Sequence, residues 1–183
     1  MNKVGYGIIG GGLWGETHAR IISSHPCATL VAVCDVVKER AQQIAGKYGA
    51  KTYYTDLHEM LKNPEIQAVG IVTPDFAHGE PFVAACQAGK HILLEKPLAT
   101  TNQDLQAMRK AYQEAQVRVM VDFHARWNPP FVVARDNIRA RQIGELISMY
   151  YRLNDAIFVP TKMLAWAEKS SILWFLGSHT VDT

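Results

Sequence analysis

Val4-Gly5-Tyr6-Gly7-Ile8-Ile9-Gly10-Gly11-Gly12-Leu13-Trp14-Gly15, with Asp35 lying 20 residues beyond Gly15, decides the fold. An apolar strand runs into a Gly-x-Gly-x-x-Gly turn on Gly10, Gly12 and Gly15, and a helix starts at that turn. Each glycine has a mechanical job in a dinucleotide site. Gly10 permits the tight turn, Gly12 leaves room for a pyrophosphate, and Gly15 lets helix and strand pack closely. The helix N-terminus adds N–H groups and a positive dipole end, so Leu13 and Trp14 stand where phosphates would lie. Trp14 could flank the pyrophosphate or pack under the helix. A glycine pattern alone is weak. Here a second strand, Thr29–Asp35, ends in a carboxylate suited to a ribose 2′-OH and unsuited to a 2′-phosphate. NAD is therefore expected over NADP.

Outward from that turn, strand and helix signals alternate. Val4–Gly10, Thr29–Asp35, Lys51–Thr55, Ile66–Thr73, His91–Glu95 and Val117–Phe123 read as strands. Trp14–Ser24, Lys38–Tyr48, Leu57–Lys62 (capped by Asp56), Pro81–Ala88 and Thr101–Ala115 read as helices, with Gly49 and Gly89 as stops. The almost wholly apolar Ile66–Thr73 is the mark of a strand covered on both faces. This rhythm predicts an α/β domain with a doubly wound parallel sheet, and ligands beyond the C-terminal strand ends. Gly10–Gly15, Asp35, Thr73–His78, Glu95–Pro97 and Phe123–Arg126 fall on that edge.

After Phe123 the character changes. Asn128-Pro129-Pro130 marks a break, Phe131–Arg141 reads as an amphipathic helix, and Leu146–Leu153 as strand-like. Residues 1–123 are expected to form the first domain and 124–183 the start of an α+β second one. Ala165–His179 is apolar and aromatic.

The 183 residues are 48% hydrophobic and 20% charged, with a formal net charge of +2. That balance suits a globular protein and gives no reason to invoke nucleic acid or an anionic membrane. Arg126, Arg135, Arg139 and Arg141 are interrupted by Asp136 and apolar residues, which describes a solvated helix face. Cys27, Cys34 and Cys86 are odd in number and set in apolar contexts, as expected of reduced core thiols in a cytoplasmic protein, with no metal site. Met1-Asn2-Lys3 leads straight into the first strand, so no signal peptide is expected, and no apolar run reaches the length of a membrane helix.

Several further segments stand in order: Thr73-Pro74-Asp75-Phe76-Ala77-His78, Ala88-Gly89-Lys90-His91-Ile92-Leu93-Leu94-Glu95-Lys96-Pro97, Arg126-Trp127-Asn128-Pro129, Ile143-Gly144-Glu145-Leu146 and Gly177-Ser178-His179-Thr180-Val181-Asp182. With the glycine turn, they resemble the glucose–fructose oxidoreductase / inositol 2-dehydrogenase (Gfo/Idh/MocA) family over the whole chain. The resemblance implies a Rossmann domain followed by a domain built on an open sheet and used for oligomerisation. It also implies NAD(P)-dependent oxidation of a secondary alcohol in a sugar, cyclitol or sugar derivative. Lys96 would then sit beside nicotinamide and substrate, and His179 would act as acid/base.

Chemistry agrees with those roles. Alcohol oxidation moves a hydride to the nicotinamide and a proton to a base, and histidine titrates near neutrality. A lysine can hold developing alkoxide charge. Thr73, Pro74, His78 and Glu95 are placed with the cofactor edge. His78 could instead cap or pack, and Glu95 could form a structural ion pair. His124, Arg126 and Asp182 are substrate-edge candidates, and Arg126 could equally stitch the domains together.

The sequence departs from the family at one position. Many members carry an aspartate four residues before the histidine, where this chain has Phe175. Either another group serves, such as Asp182 or a substrate contact, or the subfamily's chemistry differs; the alternative reading of the chain is an NAD(H)-binding module without turnover. Because family members run to about twice this length, most of the substrate wall is expected outside these residues. The apolar Ile172–Leu176 is expected to be poorly covered, and so to self-associate or to be disordered.

Overall fold

The structure is a computed structural model and describes residues 3–182. Met1 and Asn2, where no leader is expected, and Thr183 lie outside them. The chain divides into two compact units, Met1–Val121 and Asp122–Thr183.

The first unit carries strands β1 (Val4–Ile9), β2 (Ala28–Cys34), β3 (Thr52–Tyr54), β4 (Ala68–Ile71), β5 (His91–Glu95) and β6 (Val119–Asp122, whose last residue belongs to the second unit). Between them lie helices α1 (Leu13–Ser24), α2 (Lys38–Tyr48), α3 (Leu57–Leu61), α4 (Gly79–Gln87) and α5 (Asn102–Glu114). The strand order is β3-β2-β1-β4-β5-β6. β1 pairs in parallel with β2 and β4, β2 with β3, and β4 with β5. β6 joins the edge of β5, where Ile92 N donates to Arg118 O at 2.9 Å. The order reverses between β1 and β4, and that switch point is where doubly wound sheets open a ligand crevice.

Both faces of the sheet are covered. Leu30 and Val33 of β2 pack with Ala19 of α1 and Ala41, Ile44 and Ala45 of α2. Ile71 and Leu94 pack on the other face with Met60 of α3, Phe82 of α4 and Met108 of α5. Ile8, Ile71 and Leu94 have no exposed surface, and each such burial contributes about 1.5–3 kcal/mol. Local caps set helix starts. The Asp56 carboxylate accepts from His58 N at 2.8 Å, and Thr101 Oγ1 accepts from Asp104 N at 3.1 Å.

Four expectations need correction. β4 is shorter than Ile66–Thr73, because Ile66 N donates to Asn63 O and belongs to a buried turn. Cys27 is exposed rather than in the core, in the turn before β2. In the second unit, Asn128-Pro129-Pro130 starts a helix instead of breaking the chain: α6 runs from Pro129 to Arg139. Proline suits a helix's first turn, where its missing N–H would have no partner.

Leu146–Leu153 is irregular, not a strand. A strand needs a partner's backbone, and among the described residues the second unit holds no strand beyond Asp122. The rest of that unit is a 3-10 turn at His124–Trp127, single helical turns at Val159–Met163, Ala167–Lys169 and Leu173–Gly177, and helix α7 at Ser178–Asp182. Ile172, Leu173 and Trp174 are exposed.

Candidate cofactor and active site

In the first unit the site grows from the turn between β1 and α1. Gly10 has φ +111°, and a Cβ there would come within 2.7 Å of Val72 O at the end of β4. Only glycine lets the two central strands end this close together. A Cβ on Gly15 would stand 1.9 Å from Gly10 O, so the helix lies directly against the turn it springs from. At Gly12 the situation reverses: nothing lies within 4 Å of the added atom. Gly12 is the N-cap of α1, and no side chain caps that helix. The turn is thus tight at its two outer glycines and open at the middle one. Leu13 and Trp14 follow, and Trp14, 42% exposed, is not packed under the helix.

Asp35 closes one side of this space. Its Oδ2 accepts from Gly11 N at 2.6 Å and its Oδ1 from Val37 N at 2.8 Å. The carboxylate therefore ties β2's exit to the glycine turn and remains half-buried. Gly11 had no assigned part in the sequence reading, since a backbone N–H carries no residue signature.

Thr73 and Pro74 leave β4 half-buried, and Thr73 Oγ1 donates to Ala77 O at 3.0 Å. His78 is 1% exposed. Its Nδ1 lies 2.7 Å from Pro97 O and its Nε2 3.1 Å from Thr73 O. Of the roles open to it, the geometry matches packing and not cleft lining, because both ring nitrogens face backbone carbonyls. Burial pushes the His78 pKa down, against the opposing pull of those carbonyls. His78 thereby ties the exits of β4 and β5 together.

At the end of β5, Glu95 and Lys96 are both buried. Glu95 Oε2 accepts from Lys96 N at 3.2 Å, and Oε1 lies 3.4 Å from His18 Nε2. The ion-pair alternative for Glu95 has a partner here, at a helix-interior histidine that sequence reasoning missed. No local signal marks His18, since the partners are 77 residues apart.

The second unit has its own cluster. His179 is 4% exposed; its ring has aromatic neighbours. It meets the His124 ring edge-on at 4.5 Å between centroids and the Phe123 ring at 6.3 Å. Arg126 Nε donates to Asp182 Oδ2 at 2.6 Å, and Nη2 donates to Oδ1. Phe175 packs edge-on against Trp166 at 6.1 Å. Arg126 and Asp182, expected separately as substrate-edge groups, thus hold each other. Arg126 does not serve as the domain stitch by this bond, since both partners belong to one unit.

The family model described as "Oxidoreductase family, NAD-binding Rossmann fold" (Gfo/Idh/MocA) matches residues 4–123, well over half of the chain. The chain belongs to the Gfo/Idh/MocA family. Its relatives include levoglucosan dehydrogenase of Pseudarthrobacter phenanthrenivorans, 31% identical over all of this chain and 50% of that protein. The scyllo-inositol 2-dehydrogenase (NAD(+)) of Bacillus subtilis is 36% identical over 82% of this chain and 44% of its own length. Among solved structures, levoglucosan dehydrogenase in complex with NADH superposes with a TM-score of 0.87 at 29% identity, over 99% of this chain and 52% of that one. This Gfo/Idh/MocA chain spans about half the length of the relatives it matches. No helix among its described residues is long and apolar enough to cross a membrane.

Proposed function

We propose that this chain holds NAD(H) at the C-terminal edge of its sheet and belongs to a dehydrogenase of a sugar, cyclitol or related secondary alcohol. The observation that carries the reading is the turn Gly10–Gly15, closed at both ends and open at Gly12, in front of a helix that no side chain caps. That space fits a pyrophosphate: backbone N–H groups and the helix dipole favour anionic oxygens, and a missing Cβ leaves room for them. Asp35, held from behind by Gly11 and Val37, keeps acceptor capacity for a ribose 2′-OH and repels a 2′-phosphate, which favours NAD over NADP. Leu13, Trp14, Thr73, Pro74 and Glu95 border the same edge, with His78 setting its shape. Nicotinamide, when bound, supplies the hydride acceptor.

The chain's own residues handle the proton. Lys96, fixed at the exit of β5 beside Glu95, offers a cation to the developing alkoxide. His179 accepts the hydroxyl proton as general base and returns it in the reverse reaction. His124 stands against His179 as a further substrate-edge group. Three free cysteines fit a cytoplasmic setting, and the exposed apolar residues of the second unit support homo-oligomerisation.

One observation favours a second reading, an NAD(H)-binding module without turnover: Phe175 packs on Trp166 and brings no carboxylate to the place where many members carry one. NADH formation measured with a panel of polyols and sugars decides between them. Turnover that falls about 100-fold or more in Lys96→Ala and His179→Ala supports the enzyme. NAD binding with no turnover supports the module, and tighter binding of NADP than NAD refutes the cofactor assignment.

A further inference from the structure

Helix α7 has five residues, too few to persist without a tether. Its tether is visible. His179 and Asp182 are three residues apart, on one helix face. Both meet a single short stretch of chain, Phe123–Trp127. The Arg126 guanidinium grips both oxygens of Asp182, and the same guanidinium lies 5.4 Å above the Phe123 ring. The His179 ring meets His124 and Phe123 edge-on. The Asp182 side chain is only 7% exposed although Arg126 is 57% exposed, so the pair is shielded on the carboxylate side.

A fork-to-fork guanidinium–carboxylate pair fixes direction as well as distance, which a single hydrogen bond or a lysine would not. Holding Asp182 in that way fixes the roll of α7, and the roll of α7 sets where the His179 imidazole points. Two aromatic walls then leave the ring little freedom to turn.

We propose that Arg126 and Asp182 are positioning residues for His179: a latch that sets the orientation of the imidazole and touches neither substrate nor cofactor. The inference rests on His179 being the acid/base, and it replaces the separate substrate contacts expected of Arg126 and Asp182.

The test uses the full chain with Arg126→Gln, Arg126→Lys, Asp182→Asn and the exchanged pair Arg126→Asp/Asp182→Arg. Two readouts are taken: steady-state NADH formation, and the His179 imidazole resonances by NMR, assigned by their loss in His179→Gln. In Arg126→Gln and Asp182→Asn the His179 resonances shift, and kcat falls about 10- to 100-fold, as misplacement of a reacting group by about 1 Å does. KM for NAD stays within about twofold, because the cofactor edge lies in the other unit. Arg126→Lys, keeping charge without the fork, falls between, and the exchanged pair recovers both readouts. Unchanged His179 resonances in both single variants overturn the latch, as does unchanged kcat in an active chain. If the unaltered chain turns over no substrate, the acid/base reading fails instead, and the latch stands or falls on the resonances. A variant that loses its fold is replaced by Arg126→Lys, whose His179 resonances must still shift.

Discussion

Alanine at Gly12 and at Gly15 should have opposite consequences, although the two positions are three residues apart in one turn. At Gly15 the new methyl stands 1.9 Å from Gly10 O, against an ordinary contact of at least 3.4 Å, so helix or turn must give by 3.4 − 1.9 = 1.5 Å. Overpacking of that kind costs about 3 kcal/mol, and the better helix propensity of alanine returns about 1 kcal/mol. The net, about 2 kcal/mol, lowers Tm by about 4–8 °C in a chain of this size. At Gly12 the methyl meets nothing within 4 Å, and the backbone at φ −83°, ψ −166° is open to alanine. A weaker cap, costing about 0.5–1 kcal/mol, is balanced by a similar gain from a stiffer unfolded chain, so Tm stays within about 2 °C. What Gly12→Ala loses is room for pyrophosphate, and a tenfold loss of NAD affinity corresponds to about 1.4 kcal/mol. At an NAD concentration about 100 times the wild-type Kd, ligand stabilisation would drop from about 2.7 to about 1.4 kcal/mol. Thermal melts with and without NAD, together with a calorimetric titration, read all of these quantities. Wild-type NAD affinity in Gly12→Ala, or a melt as low as that of Gly15→Ala, would refute the reading of the turn.

Three other outcomes are expected. His78 has its pKa lowered by folding, so it contributes stability above its unfolded value of about 6.5 that is lost as pH falls through the lower folded value. Melts at about pH 7.5 and about pH 5 should differ more for the wild type than for His78→Gln, and equal differences would count against it. Burial pushes the Cys34 thiol up to about 12 and raises that of Cys86, while Cys27 is exposed. Iodoacetamide at about pH 8 should therefore add one group per folded chain by mass spectrometry, on Cys27, and modification of Cys34 before unfolding would be the contrary result. Lys90 Nζ donates to Asn63 O at 3.1 Å and Ile66 O at 2.8 Å, so Lys90→Met strips two carbonyls of a donor. A cost of about 1–2 kcal/mol, or about 2–8 °C in Tm, should follow, and an unchanged melt would show that water replaces the clip.

The alternation of elements was legible because punctuation is local. Lys38–Tyr48 and His91–Glu95 have their expected bounds, and Asp56 caps the helix it was expected to cap. Hydrophobicity alone misleads where a turn is buried, as at Ile66, or where a strand-like pattern has no neighbour to pair with, as over Leu146–Leu153. The glycines and Asp35 were readable as a group because one turn brings them together. The pairs His18–Glu95 and Arg126–Asp182 were not, since 77 and 56 residues separate them and only the folded topology selects the partner. Spacing could mark His78 as special but could not tell a cleft wall from a brace, a distinction made by its two carbonyl partners.

The double hold on Asp35 has a bearing on how this site could change over time. The carboxylate that would discriminate between cofactors is also the peg on which Gly11 and Val37 hang. Exchanging it for a small neutral residue to admit a 2′-phosphate would remove the acceptor from two backbone N–H groups at once and loosen the turn that receives the pyrophosphate. Cofactor preference and turn rigidity are inherited here as one trait. A lineage, or an engineer, moving toward NADP would have to install a new acceptor for Gly11 before, or together with, the loss of Asp35.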